Sequence, residues 1–371
     1  SRRMAPKKGR KYRPQSGWKR PTADERSFAV RSIAREKVIP KEFLDDDEGS
    51  FFQKIVSPKR GDWLDEHDEK GQTFMSFKRQ SMRATPHAHV QVIELVPLGP
   101  FPQGTAPELS SLEQYTAVFF GCSCRIGKPL KVSSCMDQAR SGEDGQLQLC
   151  VGSIFNVLNE RKTARDVLCQ VAITMVDLYP IIDGEAWNFV YGQAMAMDGV
   201  GVFSFARYTP DGDFVIPWIS DAETAESTAY DEYQVDRCTV NESKICLSSS
   251  SLEHKEAEEG GAIISHHVSL MLYRSCKVLT HEIGHLFGIR HCIFYECLLS
   301  GCNHLSEFDF RPLHLCPVDL RKLQEATGFS VPARYEALLG LAEQWGEAWE
   351  GHADWLRRRL DYLQRQQAAA L

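Results

Sequence analysis

The chain has no apolar stretch approaching the ~18 residues that cross a bilayer, so no membrane span is expected. Its first residues are basic, but no apolar run follows them, so no secretory signal is expected either. Acidic side chains are scarce at the start. Residues 1–41 hold fourteen Lys/Arg against three Asp/Glu, which leaves −18 for the other 330 residues of a chain with net charge −7. A basic arm on an acidic body has the composition of a solvated, disordered tail, with nucleic acid left open as a partner for it. Internal repeats are also lacking.

Cysteine, by contrast, is plentiful, with 12 in 371 residues. With no secretory signal, and with enough chain to build a core, reduced thiols in an intracellular, cytoplasmic or nuclear, setting are expected rather than a disulfide framework. The hydrophobic share of 43% and charged share of 25% are those of a globular chain, and a monomer is expected.

The pattern along the chain predicts three parts: a disordered arm over 1–50 with a short helix near Ala23–Lys37, a main domain over 51–330, and a helical extension over 331–371. Val90–Val96 reads as a buried strand stopped by Pro97. Ser111-Leu112-Glu113-Gln114 has the capping-box spacing and predicts a helix from there to Phe120. Gly152–Arg161 reads as a helix. Asp166–Asp177 is a β-branched apolar run that reads as one central strand, followed by strands at Trp187–Met195 and Gly201–Tyr208. Residues 209–260 carry thirteen acidic residues against three basic ones and read as a surface insertion. Strands alternating with helices predict an α/β fold on a mixed sheet.

Ser265–Ile289 reads as a strong helix. Val268, Leu272, Cys276, Leu279, Ile283 and Leu286 step by four or three to form an apolar stripe, and His281 and His285 fall on the opposite side, facing a cleft. Pro332–Gln367 reads as further helix whose Leu338, Trp345, Trp349 and Trp355 pack on the body.

The chemistry concentrates at His281-Glu282-Ile283-Gly284-His285, followed by Gly288 and His291. Residues four apart share a helix face, so both imidazoles reach one ion. Gly288 lets the chain leave the helix in a left-handed conformation and return His291 as a third ligand. The full H-E-x-x-H-x-x-G-x-x-H spacing arises by chance on the order of once in 10⁵ chains of this size. Three imidazoles with an open fourth position describe a catalytic zinc, with Glu282 as the base on its water. A peptidase acting on peptides or proteins is therefore expected. The alternative is a non-catalytic zinc module for protein interaction, which has no need of Glu282.

From Cys276 onward the chain resembles the archaemetzincins. The likeness runs through Cys276-Lys277-Val278-Leu279-Thr280, the zinc motif, His291-Cys292, Cys297, Gly301, Asn303-His304-Leu305, Asp309, Arg311-Pro312-Leu313 and Leu315-Cys316-Pro317. It also covers Asp177–Pro180, Trp187–Ala194 and Gly199–Tyr208. The resemblance implies a metzincin-like α/β fold: a mostly parallel twisted sheet, an active-site helix, a small zinc-binding C-terminal subdomain and, here, a helical tail. It implies two zinc ions, one catalytic and one structural. Four cysteines hold the second in the family. Cys292, Cys297 and Cys316 match three of them, and Asp319 stands where the fourth is expected, with Cys302 as the alternative ligand. The family's methionine beneath the catalytic ion is replaced by Leu299, of similar volume. Trp187, Asn188, Phe189, Val190, Tyr191 and Gly192 match the family's sheet edge, where a substrate peptide could add as a strand.

Overall fold

A computed structural model of the chain describes residues 13–32, 38–45, 51–80, 86, 90–142, 145–161, 163–208 and 257–369. The acidic stretch lies outside the described residues except for its last four positions, which begin a helix. Among the described residues no helix is long and apolar enough to cross a membrane.

Helix α1 spans Ala23–Val30 and opens on a capping box: Thr22 Oγ1 accepts from Glu25 N, and Glu25 Oε2 accepts from Thr22 N at 2.7 Å. Short helices α2 (Trp63–Glu66) and α3 (Phe74–Lys78) follow. Then come β1 (Val92–Leu98), α4 (Leu109–Phe120), β2 (Ser123–Ile126), β3 (Arg140–Ser141), β4 (Leu147–Cys150), α5 (Val151–Glu160) and β5 (Val167–Thr174). Next are β6 (Asp177–Tyr179), β7 (Ile181–Ile182), β8 (Glu185–Ala186), β9 (Gly192–Met195) and β10 (Val200–Ser204). The chain ends in α6 (Ala257–Leu286), α7 (Leu305–Phe310), α8 (Pro317–Thr327), α9 (Val331–Ala342) and α10 (Glu350–Ala368).

The main sheet has the order β2-β1-β5-β10-β9, parallel except for β9, which runs antiparallel to β10 as an edge. Strand alternation divides two apolar layers. Ile93, Leu95, Val171, Ile173 and Phe203 point to the face covered by α4 and α6. Val96, Leu98, Ala172, Val200 and Val202 point to the face covered by α5. The α/β class with a mostly parallel sheet is thus as expected.

Several local expectations need correction. Pro97 does not stop β1, which continues to Leu98. The Pro97 carbonyl faces the β2 side, where β2 has already ended, and accepts from Leu130 N at 2.7 Å, so the missing proline N–H costs no ladder bond. Ser111 is not a cap: α4 starts at Leu109 with no side-chain cap on it. The Asp166–Asp177 run is two strands. It breaks after Thr174, whose Oγ1 takes the Val176 N–H, and Asp177–Tyr179 pairs with β4 in a second sheet. The strand expected over Trp187–Met195 is only Gly192–Met195. The active-site helix starts ahead of Ser265 and stops at Leu286, short of Ile289.

The first 50 residues are not a tail throughout. Ala29, Val30 and Phe43 are buried, Arg321 donates to Val30 O, and Arg359 donates to Glu42 O and Leu44 O. Helices α9 and α10 complete the same core. Trp349 lies fully buried between Tyr115, Tyr273 and Trp345, with ring centroids 4.8–5.4 Å apart.

Trp355, on α10, lies parallel to two buried imidazoles, His314 at 4.0 Å and His352 at 6.4 Å. Burial pushes both histidines down to about 3, and each has a ring nitrogen without a partner. The unfolded chain gains these protons below pH ~6.5 while the folded chain refuses them. Stability therefore falls as pH drops from about 6.5 toward 3, by ~1.4 kcal/mol per pH unit per histidine. Unfolding measured against pH should show a shallower acid slope for His352→Phe. An unchanged slope contradicts the assignment.

Candidate metal centre

Helix α6 lies between the sheet and the loop 292–300. Leu272, Cys276, Leu279, Ile283 and Leu286 of its apolar stripe are buried and Val268 is half-buried, but the opposite side is largely covered too: Lys277 and Thr280 are fully buried and His281 is 6% exposed. His285 and His291 are half-buried. The helix stops where Gly288 takes φ +80, with Gly288 N bonded to His285 O and Ile289 N to Gly284 O. Three residues later the chain delivers His291. One ligand atom from each of His281, His285 and His291 lies within 4.8 Å of the others.

The hydrogen bonds behind the rings fix their tautomers. His281 Nδ1 is 2.8 Å from Leu298 O, and His285 Nδ1 is 2.7 Å from Ile289 O. A carbonyl only accepts, so both Nδ1 atoms carry the proton and both Nε2 atoms present lone pairs. These two Nε2 atoms face each other at 3.1 Å. Two lone pairs at that distance have no hydrogen to share, and both rings are held neutral. Burial pushes His281 well below the usual imidazole range and His285 down to about 3. A metal cation between them would satisfy both lone pairs. Borderline-soft imidazole donors suit zinc, so the residues fit the ion that the sequence motif calls for.

Glu282 follows His281 on the same turn. Burial raises its carboxyl to about 7, with the Arg311 charge opposing. Arg311 donates to Ser300 O, lies 3.3 Å from His281 Nδ1 and sits over the Phe308 ring at 5.0 Å. Leu299 packs beneath the helix: a Cβ at Gly284 would lie 3.0 Å from Leu299 Cδ1. Leucine thus fills the space under the two histidines.

Sequence reasoning missed the residues behind His291. Its Nδ1 is 2.8 Å from Glu69 Oε1, which also accepts from Trp63 Nε1 at 3.0 Å. The bond to His291 holds the Glu69 carboxyl below the usual carboxylate range. Gln72 brackets the same turn, donating to Gly288 O and accepting from Arg290 N. Nothing in local pattern marks Glu69 or Gln72.

The second cluster is Cys292, Cys297, Cys316 and Asp319, all buried. Cys292 and Cys316 sulfurs are 3.6 Å apart, and Asp319 Oδ2 is 3.3 Å from Cys297 Sγ and 3.5 Å from Cys316 Sγ. Asp319 takes the fourth corner. Its other oxygen, Oδ1, meets the buried Lys322 ammonium at 2.7 Å. Burial raises the Asp319 carboxyl to about 6, with Lys322 opposing. Cys302 is not part of this cluster. A third group, Asp62, His304 and Glu307, is closed: His304 Nδ1 accepts from Glu307 N, so Nε2 carries the proton and faces Asp62 Oδ1 at 3.3 Å.

Of the six residues expected on the sheet edge, only Gly192 is in β9. Trp187–Tyr191 forms the approach to it. Separate main-chain bonds and side chains hold this approach: Trp187 N donates to Pro180 O, Val190 N to Leu178 O and Ser204 N to Tyr191 O, while Gln148 and Arg140 donate to Asn188 O at 3.0 and 2.9 Å. Arg207 lies 3.7 Å over the Phe189 ring while pairing with Asp177. Tyr191 stacks on Tyr208, and Tyr208 on Phe308. Trp187 is 51% exposed. On its outer side β9 pairs with no strand among the described residues.

Residues 262–325 match peptidase family M54. The chain is 36% identical over 293 residues to archaemetzincin-2 of Macaca fascicularis, covering 78% of this chain and 74% of that one. It is 35% identical over 298 residues to archaemetzincin-2 of Homo sapiens, with the same coverage. A crystal structure of archaemetzincin from Methanopyrus kandleri aligns at 22% identity over 66% of this chain and 99% of that one, with a TM-score of 0.37.

Proposed function

Because this chain belongs to the archaemetzincin family and is a zinc metallopeptidase, we propose that His281, His285 and His291 hold its catalytic zinc and that Glu282 is its general base. The observation that carries this is the pair of facing Nε2 lone pairs, fixed by main-chain acceptors and flanked by Glu282. Bound there, zinc supplies Lewis acidity to the scissile carbonyl and to the attacking water. Glu282 takes the proton from that water and returns it to the leaving amine. A carboxyl raised by burial toward neutrality suits both halves of that transfer. With each Nδ1 directed to an oxygen, it is the Nε2 atoms of the three imidazoles that are left to face one ion.

The substrates are peptides or proteins. An extended peptide pairs with the outer edge of β9, and Trp187, Asn188, Phe189, Val190, Tyr191 and Gly192 shape the approach. The β9 edge supports this, since it pairs with no further strand among the described residues and β9 packs on α6. A second, structural zinc sits among Cys292, Cys297, Cys316 and Asp319. Zinc accepts carboxylate oxygen as well as thiolate. Lys322 offsets the excess negative charge of such a donor set, and its contact with Oδ1 leaves Oδ2 to face the sulfurs.

Removal of the base separates metal binding from chemistry. Glu282→Gln should keep its zinc and its melting temperature while peptide turnover falls by about 10²–10⁴. Turnover at the wild-type rate would rule out Glu282 as the base. His281→Ala should lose metal and activity together.

The structural site is tested by chelator titration of unfolding. Asp319→Cys should resist chelator better than wild type, because thiolate is the softer donor and structural metal binding is coupled to folding. Asp319→Ala should unfold at lower chelator concentration. If Asp319→Ala matches wild type, Asp319 is not a ligand.

A further inference from the structure

The three candidate ligands are held in different ways. His281 and His285 ride on one helix, and their Nδ1 protons go to main-chain carbonyls. His291 lies beyond the helix end, on a turn, and its Nδ1 proton goes to the carboxylate of Glu69, 222 positions upstream. A ligand on a turn has no regular element to fix its ring. Something else has to, or the ring's freedom is lost only when metal binds, at a cost in affinity.

Resting on the proposed catalytic centre, we propose that Glu69 is the positioning residue for the third metal ligand, as part of a strap over Asp62–Gln72 that clamps the His291 turn. The contacts made by Glu69, Trp63 and Gln72 carry this. Glu69 Oε1 accepts from His291 Nδ1 at 2.8 Å, which turns Nε2 toward the other two imidazoles. The same oxygen accepts from Trp63 Nε1 at 3.0 Å, and the Trp63 ring meets His291 edge-on at 4.8 Å, so the carboxylate and the imidazole are gripped by one indole. Trp63 is itself fixed: its main-chain N–H donates to Glu307, its ring stacks on His67 at 3.7 Å, and a Cβ at Gly301 would meet it at 2.4 Å. Gln72, buried, then takes both Gly288 O and Arg290 N, the main-chain groups on either side of the turn.

A carboxylate does more than a carbonyl in this place. A charge-assisted bond is roughly twice as strong as a neutral one. An anion behind the ring also makes Nε2 a better donor to a cation. The strap therefore sets how tightly the catalytic metal is held, and it does so from outside the segment 262–325 that matches the peptidase family.

The test is metal affinity rather than turnover. Wild type, Glu69→Ala, Glu69→Gln and His281→Ala are stripped of metal and titrated with zinc against a competing chelator, and with cobalt(II) followed by its visible spectrum. Glu69→Ala should weaken the histidine site by about 10–100-fold and alter the cobalt bands of that site, with the thiolate-to-cobalt bands unchanged. Glu69→Gln keeps an acceptor oxygen and should recover part of the loss. The metal-free melting temperatures of both variants should stay near wild type. Glu69→Ala binding zinc as tightly as wild type overturns the proposal. So does an equal loss at both sites with a lowered metal-free melting temperature, which would mark Glu69 as a packing residue only. The His281→Ala arm separates the two levels: if it still binds metal at the histidine site, the catalytic centre itself is wrong. If it loses that metal while Glu69→Ala does not, only the strap is wrong.

Discussion

Two main-chain carbonyls, Leu298 O and Ile289 O, determine which nitrogen each helical imidazole offers. They hold the Nδ1 protons, so the two Nε2 lone pairs must face each other in a buried place with no proton to share. Left alone, that contact is repulsive. The fold tolerates it because α6 is fixed by packing on its other side, where Cys276, Leu279, Ile283 and Leu286 are buried against the sheet and α4. Much of the rest of the active region can be understood as what keeps those two carbonyls where they are.

The second cluster serves that purpose. Leu298 and Leu299 lie in the loop between Cys292 and Cys316. Cys292 N donates to Leu299 O, Leu298 N donates to His314 O, and Cys316 N donates to Cys297 Sγ. Tying Cys292, Cys297, Cys316 and Asp319 together thus fixes the loop whose carbonyl orients His281. Cys292 also follows His291 directly, so the same tie anchors the third ligand from behind while Glu69 and Gln72 hold it from in front. If the proposed metal binds this cluster, its loss should loosen the histidine site as well, although no ligand is shared.

What the sequence disclosed follows the range over which each signal acts. The zinc motif is local and periodic, so the helix, both helical histidines, the Gly288 exit and His291 could all be placed from spacing alone. The main-sheet core strand could be found because burial on both faces makes it mostly apolar, with only Gln170 and Thr174 polar. Signals that depend on partners misled. Pro97 looks like a stop until it is known that the neighbouring strand ends first. Ser111 has the capping spacing, but the helix had already begun at Leu109. Trp187–Tyr191 looks like a strand, but it is held by isolated main-chain bonds to Pro180, Leu178 and Ser204 and by Arg140, Gln148 and Arg207. Glu69 and Gln72 were invisible because their only signature is contact with a turn more than 200 positions away.

The central claim is most directly tested by anomalous diffraction at the zinc edge on crystals of the full chain. The account predicts one peak about 2.0–2.1 Å from Nε2 of each of His281, His285 and His291, with each Nδ1 still on its oxygen partner. It also predicts a second peak about 2.3 Å from the sulfurs of Cys292, Cys297 and Cys316. A metal bound through Nδ1 of either helical histidine, or no peak between the three imidazoles in zinc-replete crystals, would contradict it.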